Sequence, residues 1–269
     1  MSGEDVNGIE RDEPERDGEP LLSLSGVDAG YGETQVLRDL SLDVRAGEVV
    51  SLVGRNGAGK TTTLRTINGI LQPTTGTVTF RGEDVSEFDA TETAKRGISL
   101  VPEERQIFPE LTVLENLQLA AQALHREEYG LREALFRPTD RYDGINADTD
   151  RILDRIGLAG VAEETAASLP YGDKRRLEIG VVLATEPELV LFDEPTAGMG
   201  PEETQNTIDL IEEVLVDQTL ILVEHDIELV MDLSDRITVL HRGEVLSEGT
   251  PEEIAEDESV RDAYLGGMT

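Results

Sequence analysis

Hydrophobic positions along this chain fall into short unbroken runs and alternating stretches, and the difference predicts where each element sits. Residues 48–53 (EVVSLV) are apolar and β-branched between Gly47 and Gly54, which predicts a strand buried on both faces. Residues 189–192, 220–223 and 237–240 repeat that pattern and predict further buried strands with helices between them. Residues 21–27 and 36–44 instead alternate, predicting a small antiparallel layer on either side of a turn at Tyr31. From residue 59 to 70 the period turns helical, with Leu64, Ile67 and Leu71 on one side. A strand over 77–81 and a helix over 90–96 follow. Residues 112–179 read as mostly helical, broken at Gly130, Pro138 and Gly144, and 158–170 lead into a helix over 174–184. A short acidic helix pair over 252–265 comes last.

The junction between the first buried strand and its helix carries the chemistry. Residues 54–62 read GRNGAGKTT, which satisfies G-x-x-x-x-G-K-[ST] in the strand–loop–helix setting that motif needs. Unpaired amides and the helix dipole at such a junction favour a polyanion. Gly54, Gly57 and Gly59 allow the backbone to approach phosphate oxygens, together with Arg55, Asn56 and Ala58 of the same loop. Lys60 is expected at the β- and γ-phosphates, Thr61 on Mg²⁺ and Thr62 near the α-phosphate. Residues 188–196 (ELVLFDEPT) end a second buried strand in two carboxylates: Asp193 suits the Mg²⁺ shell and Glu194 the attacking water. The expected fold is α/β: a P-loop NTPase (RecA-like) core with an antiparallel β layer and an inserted helical arm.

With LPYGD at 169–173 and VEHD at 223–226 in the same chain, the sequence resembles the ATP-binding subunit of an ABC transporter, from about residue 21 to 265. It looks most like the longer ATPase of the branched-chain amino-acid importer branch, although VPEERQIFPELTV (101–113) is similar to the shorter one. The resemblance implies that Leu169, Pro170, Tyr171, Gly172 and Asp173 form a signature that closes over ATP held by another subunit. It implies that His225 senses the γ-phosphate, that Tyr31 stacks on adenine, and that Glu103 stands at the Q-loop position, within reach of Mg²⁺ or its water. Residues 99–117 match the surface facing the membrane subunits; Ile107, Phe108 and Leu111 there are either core or the lining of a groove for a permease helix. The implied partners are a second ATPase subunit in a head-to-tail dimer, two polytopic permeases and, indirectly, an external solute-binding protein. The implied place is the cytoplasmic face of the cell membrane.

Four positions, in three motifs, depart from the general family pattern. Pro170 replaces the signature serine and offers neither hydroxyl nor N–H, and Tyr171 replaces its first glycine. Glu103 stands for glutamine, and Gly200 for the usual acid of the following loop. The boundaries expected are an acidic disordered tail over 1–20, the ATPase domain over 21–250 with the arm at about 104–185, and a helical extension over 251–269. Arg175 and Arg176 read as charges on a helix surface; His125 and His241 read as surface or strand-end residues.

Composition narrows the setting. There are 57 acidic against 23 basic residues, a formal net charge of −34. That field disfavours a nucleic-acid partner, since no basic stripe stands against it. It points to a salt-rich cytosol, where such charges are screened. No cysteine is present, which removes disulfides and thiolate chemistry. No run of eighteen apolar residues or secretory h-region is visible, so attachment to a membrane is expected through a partner. Other readings are a urea or small-solute importer ATPase, a soluble ABC ATPase of DNA repair or ribosomes, and a P-loop small-molecule kinase. The single cassette, the short arm and the LPYGD and VEHD strings favour transport over the last two.

Overall fold

The computed structural model describes residues 18–103, 106–122, 143–214 and 218–265. Two sheets share one interior. The first is antiparallel, in the order β2 (Thr34–Val44), β1 (Leu22–Tyr31), β4 (Thr75–Phe80), β5 (Glu83–Asp84). Tyr31 pairs with Thr34 across the two-residue turn between β1 and β2. The second sheet runs in the order β10 (Glu244–Gly249), β9 (Arg236–His241), β3 (Val49–Val53), β8 (Thr219–Val223), β7 (Leu189–Asp193), β6 (Ile98–Val101). All its pairings are parallel except β9 with β10.

The unbroken apolar runs are explained by burial on both faces. In β7, Leu189 and Leu191 join the core beneath the antiparallel layer, while Val190 and Phe192 join the core beneath the helices. In β8, Ile221 and Val223 face one way and Leu220 and Leu222 the other. Apolar side chains alternating to both faces are what a doubly covered parallel sheet requires.

Helices follow as α1 (Lys60–Ile67), α2 (Ala90–Lys95), α3 (113–122), α4 (Asp143–Arg155), α5 (Tyr171–Leu183), α6 (Pro201–Val214), α7 (Ile227–Leu233), α8 (Pro251–Glu256) and α9 (Glu258–Leu265). Among the described residues no helix is long and apolar enough to cross a membrane. The break expected at Gly144 is overturned, because α4 already includes that residue. Near a helix start the amides need no intrahelical acceptor, so a glycine there costs little continuity. The breaks at Gly130 and Pro138, His125, and residues 1–17 of the expected tail lie outside the described residues. The helix expected from 174 begins earlier, at Tyr171, with Pro170 as its N-cap. Strand β10 was not expected; it forms a hairpin with β9 through Arg242 and Gly243, both at positive φ.

Candidate functional site

Parallel pairing places three chain segments side by side. Leu52 of β3 registers with Val223 of β8, and Val223 with Asp193 of β7. The loops that leave these strands therefore emerge at one edge of the sheet, where open α/β sheets bind ligands. The first loop is 54–59, the second begins at Glu194, and the third is Glu224–His225.

The glycine loop is shaped by steric necessity. A Cβ on Gly54 would lie 2.5 Å from the Leu240 carbonyl oxygen, and one on Gly59 would lie 2.8 Å from Leu37 Cδ2. Gly59 caps α1 at φ 116, with no side chain accepting from the first amides and no acid in the first turn. The helix N-terminus is thereby left to an external anion. Lys60 is buried and donates from Nζ to the Gly54 carbonyl at 2.8 Å. Burial lowers its pKa, opposed by the charges of Glu194 and Asp193.

Thr61 Oγ1 donates to Asp193 Oδ1 at 3.2 Å. Burial pushes the Asp193 carboxyl up; the Thr61 hydrogen bond opposes this, and Glu194 and Glu103 add to it. Glu194, at φ 51, holds its Oε1 2.6 Å from His225 Nε2. A cleft of about 470 Å³ is lined by residues 56–62 with Val36, Glu194 and His225. Seven of the nine loop positions singled out from sequence, Asn56 to Thr62, line it. Gly54 is buried behind the loop, and Arg55 is exposed and does not line the cleft. Tyr31, 44% exposed, sits beside α1, where its hydroxyl accepts from Arg65 Nη1 at 3.2 Å.

The signature is not brought to this cleft. Leu169 is buried; Pro170, Tyr171 and Gly172 are exposed and Asp173 is partly so, all at the start of α5 and none of them lining the cleft. Glu103 is exposed two residues beyond the end of β6. Phe108 is 56% exposed, whereas Ile107 packs partly on the core beneath the helices. Arg175 corrects its reading as a surface charge: it is 5% exposed and donates to Glu178 at 2.7 Å within α5. Arg176 is half-buried and donates to the Ile156 carbonyl.

Two residues escaped the sequence reading. Arg65 lies close enough to lower the Asp193 pKa while bonding Tyr31; its place one turn past Thr61 on α1 was the available signal. Glu224, next to His225, is 4% exposed and accepts from both Thr196 and His225. A carboxylate ending a fully apolar strand was its signal.

The donor set suits a hard cation. A buried carboxylate and a hydroxyl lie together beside further acids, and their raised affinity for positive charge is what a divalent ion would relieve. The loop suits phosphate, because α1 begins with no side chain on its first amides and Lys60 lines the same cleft.

A parallel sheet with this loop after its central strand and paired acids after its neighbour defines a P-loop nucleoside-triphosphatase core. The sequence matches the family described as ABC transporter over residues 37–197. It also matches the one described as branched-chain amino acid ATP-binding cassette transporter over 244–268. The high-affinity branched-chain amino acid transport ATP-binding protein LivG of Salmonella typhimurium is 40% identical, over 92% of this chain and 98% of its own length. BraF of Pseudomonas aeruginosa, with the same description, is 36% identical over 92% of this chain and 98% of its own. Among solved structures, the ADP conformation of MJ1267, an ATP-binding cassette of an ABC transporter, aligns with TM-score 0.79 at 26% identity, covering 93% of this chain and 100% of that one. The chain belongs to the ABC transporter family, among its ATP-binding subunits.

Proposed function

We propose that this subunit binds Mg·ATP in the cleft between the glycine loop and the Glu194–His225 pair and hydrolyses it to drive an importer of branched-chain or other amino acids. The observation that carries the reading is that the candidate base, the histidine and the buried lysine face one cleft from three adjacent strands. Lys60 and the amides of 57–62 hold the phosphates, and Tyr31 stacks on the base. Glu194 orients the attacking water, while His225 holds the γ-phosphate from the opposite loop. Thr61 and Asp193, with Glu103 nearby, would hold Mg²⁺, which would neutralise phosphate charge.

The signature Leu169–Asp173 acts in trans. Its exposure, and its absence from the cleft of its own chain, support a head-to-tail pair in which it covers the other copy's ATP. Pro170 contributes no donor, so Gly172 and the first amides of α5 make the approach. Two polytopic permeases, served by an external binding protein, complete the assembly, with this subunit docked on them at the cytoplasmic face of the membrane. The C-terminal match over 244–268 supports amino-acid import. The acid excess supports a salt-rich cytosol.

Calorimetric titration with ATP and a phosphate-release assay test the reading. Lys60→Ala abolishes binding or turnover, and Glu194→Gln binds ATP but stalls as a closed dimer on a sizing column. Undiminished turnover by Glu194→Gln would remove that residue from its role.

A further inference from the structure

A buried carboxylate that carries no part in the reaction joins the two loops that do. Glu224 is 4% exposed, and its two oxygens divide three donors between them. Oε1 accepts from the Thr196 amide at 2.9 Å and from the Thr196 hydroxyl at 2.7 Å. Oε2 accepts from the His225 amide at 3.1 Å. Thr196 stands two residues after Glu194, and His225 is the other member of the 2.6 Å contact. The backbones at both ends of that contact are thus tied to one side chain.

We infer that Glu224 is a positioning residue: it clamps the Glu194 turn to the His225 loop and so sets the distance between base and histidine. The inference rests on the ATPase reading above. Two features separate a clamp from ordinary packing. First, Glu194 is held at φ 51, a left-handed backbone conformation that is strained for a non-glycine residue and persists only when its surroundings enforce it. The turn beyond it is pinned by Ala197 donating to the Glu194 carbonyl and by Thr196 donating to Glu224. Second, all three recorded partners of Glu224 are donors, and no cation pairs with it among the described residues. Burying a carboxylate without a counter-ion is costly unless its hydrogen bonds need an acceptor at both oxygens. Glutamine cannot supply that. With its oxygen toward Thr196, its NH₂ opposes the His225 amide; reversed, it opposes the Thr196 amide.

The test uses the full chain and three variants. Glu224→Gln is expected to lower kcat by roughly ten- to a hundredfold, the scale set by misplacing a catalytic group by about an ångström. Affinity for a fluorescent ATP analogue stays within twofold, because the glycine loop is untouched. Thr196→Val loses part of kcat, and Thr196→Ser recovers it. The chain contains three histidines, so the His225 ring is assignable by ¹⁵N NMR; in Glu224→Gln its Nε2 signal shifts towards that of a solvated imidazole. If Glu224→Gln keeps both parental kcat and the parental His225 signal, the clamp is wrong. A parent without ATP turnover sinks the ATPase reading instead, and the NMR signal still decides the clamp. Should Glu224→Gln not fold, the split between Thr196→Val and Thr196→Ser decides it, and equal activity of the two overturns it.

Discussion

Truncating Arg236 should destabilise the whole nucleotide-binding core, and the structure sets the scale. Arg236 heads β9, beside the glycine-loop strand β3. Its Nε donates to Glu48 Oε1 at 2.8 Å, its Nη2 to Glu48 Oε2 at 3.1 Å and to the Asp43 carbonyl, and its Nη1 to Glu248. Arg236 and Glu48 side chains are 14% and 5% exposed. Removing the guanidinium leaves Glu48 buried with the Arg45 amide as its recorded donor. Breaking a buried pair from one side costs about 3–5 kcal/mol. The lower end applies, because Glu248 is 34% exposed and admits water at the rim. At about 2–4 °C per kcal/mol for a chain of this size, a loss near 3 kcal/mol lowers Tm by about 6–12 °C. Arg81→Ala is the charge-matched control: its pair with Glu188 is 59% and 48% exposed and worth at most about 1 kcal/mol. The assay is thermal unfolding followed by circular dichroism, in dilute buffer and in molar KCl. Screening barely reaches a buried pair, so the Arg236→Ala deficit persists in salt. Arg236→Met combined with Glu48→Leu recovers much of the loss, since no charge is then stranded. An Arg236→Ala protein melting within about 2 °C of the parent refutes the reasoning from burial.

Gly243→Ala weakens both fold and nucleotide affinity. Gly243 sits at φ 88, donates to Ala58 of the glycine loop, and a Cβ there would lie 1.8 Å from the Val36 carbonyl; unchanged binding by titration would count against this. Asp193→Asn abolishes Mg²⁺-dependent turnover yet raises the Tm of nucleotide-free protein at neutral pH by roughly 1–3 °C. The sign follows from a carboxyl raised above its usual 3.8 by burial: its protonated form favours the fold, and that gain is lost as pH rises through the raised value. The advantage of Asp193→Asn therefore shrinks as pH falls towards 4, as melts across that range would reveal. A net charge of −34 makes Tm rise with KCl up to molar concentration; a melting temperature indifferent to salt would leave the acid excess unexplained.

What sequence could and could not disclose divides along physical lines. The strands β3, β7 and β8 were legible because burial on both faces forces apolar runs, and their flanking glycines and acids locate the site at once. Strand β10 was not, because it lies at a sheet edge with alternating burial, and EVLSEG offers few apolar positions. Arg175 misled for a similar reason: a charge after an exposed helix start reads as solvated, and only the partner Glu178, three residues on, makes its burial tolerable. Signature residues were legible as a string, but the role proposed for them lies at an interface between chains, which no pattern within one chain encodes.

The side chains of the cleft do not balance one another electrostatically, and this bears on how a chain so acidic could bind a polyanion. Lys60 spends its charge on Asp193, Glu194 and the Gly54 carbonyl, and burial already lowers its pKa. Asp193 is pushed the other way by burial and by Glu194 and Glu103. Without ligand, each group disfavours the ionisation state that the reaction needs. A phosphate chain beside the lysine and a divalent cation beside the carboxylate reverse both tendencies, so the two are expected to bind with positive coupling. ATP affinity should therefore fall steeply when Mg²⁺ is removed with chelator, and more steeply in the parent than in Asp193→Asn. A chelator effect equal in the two proteins would mean that Asp193 does not couple the cation to the nucleotide.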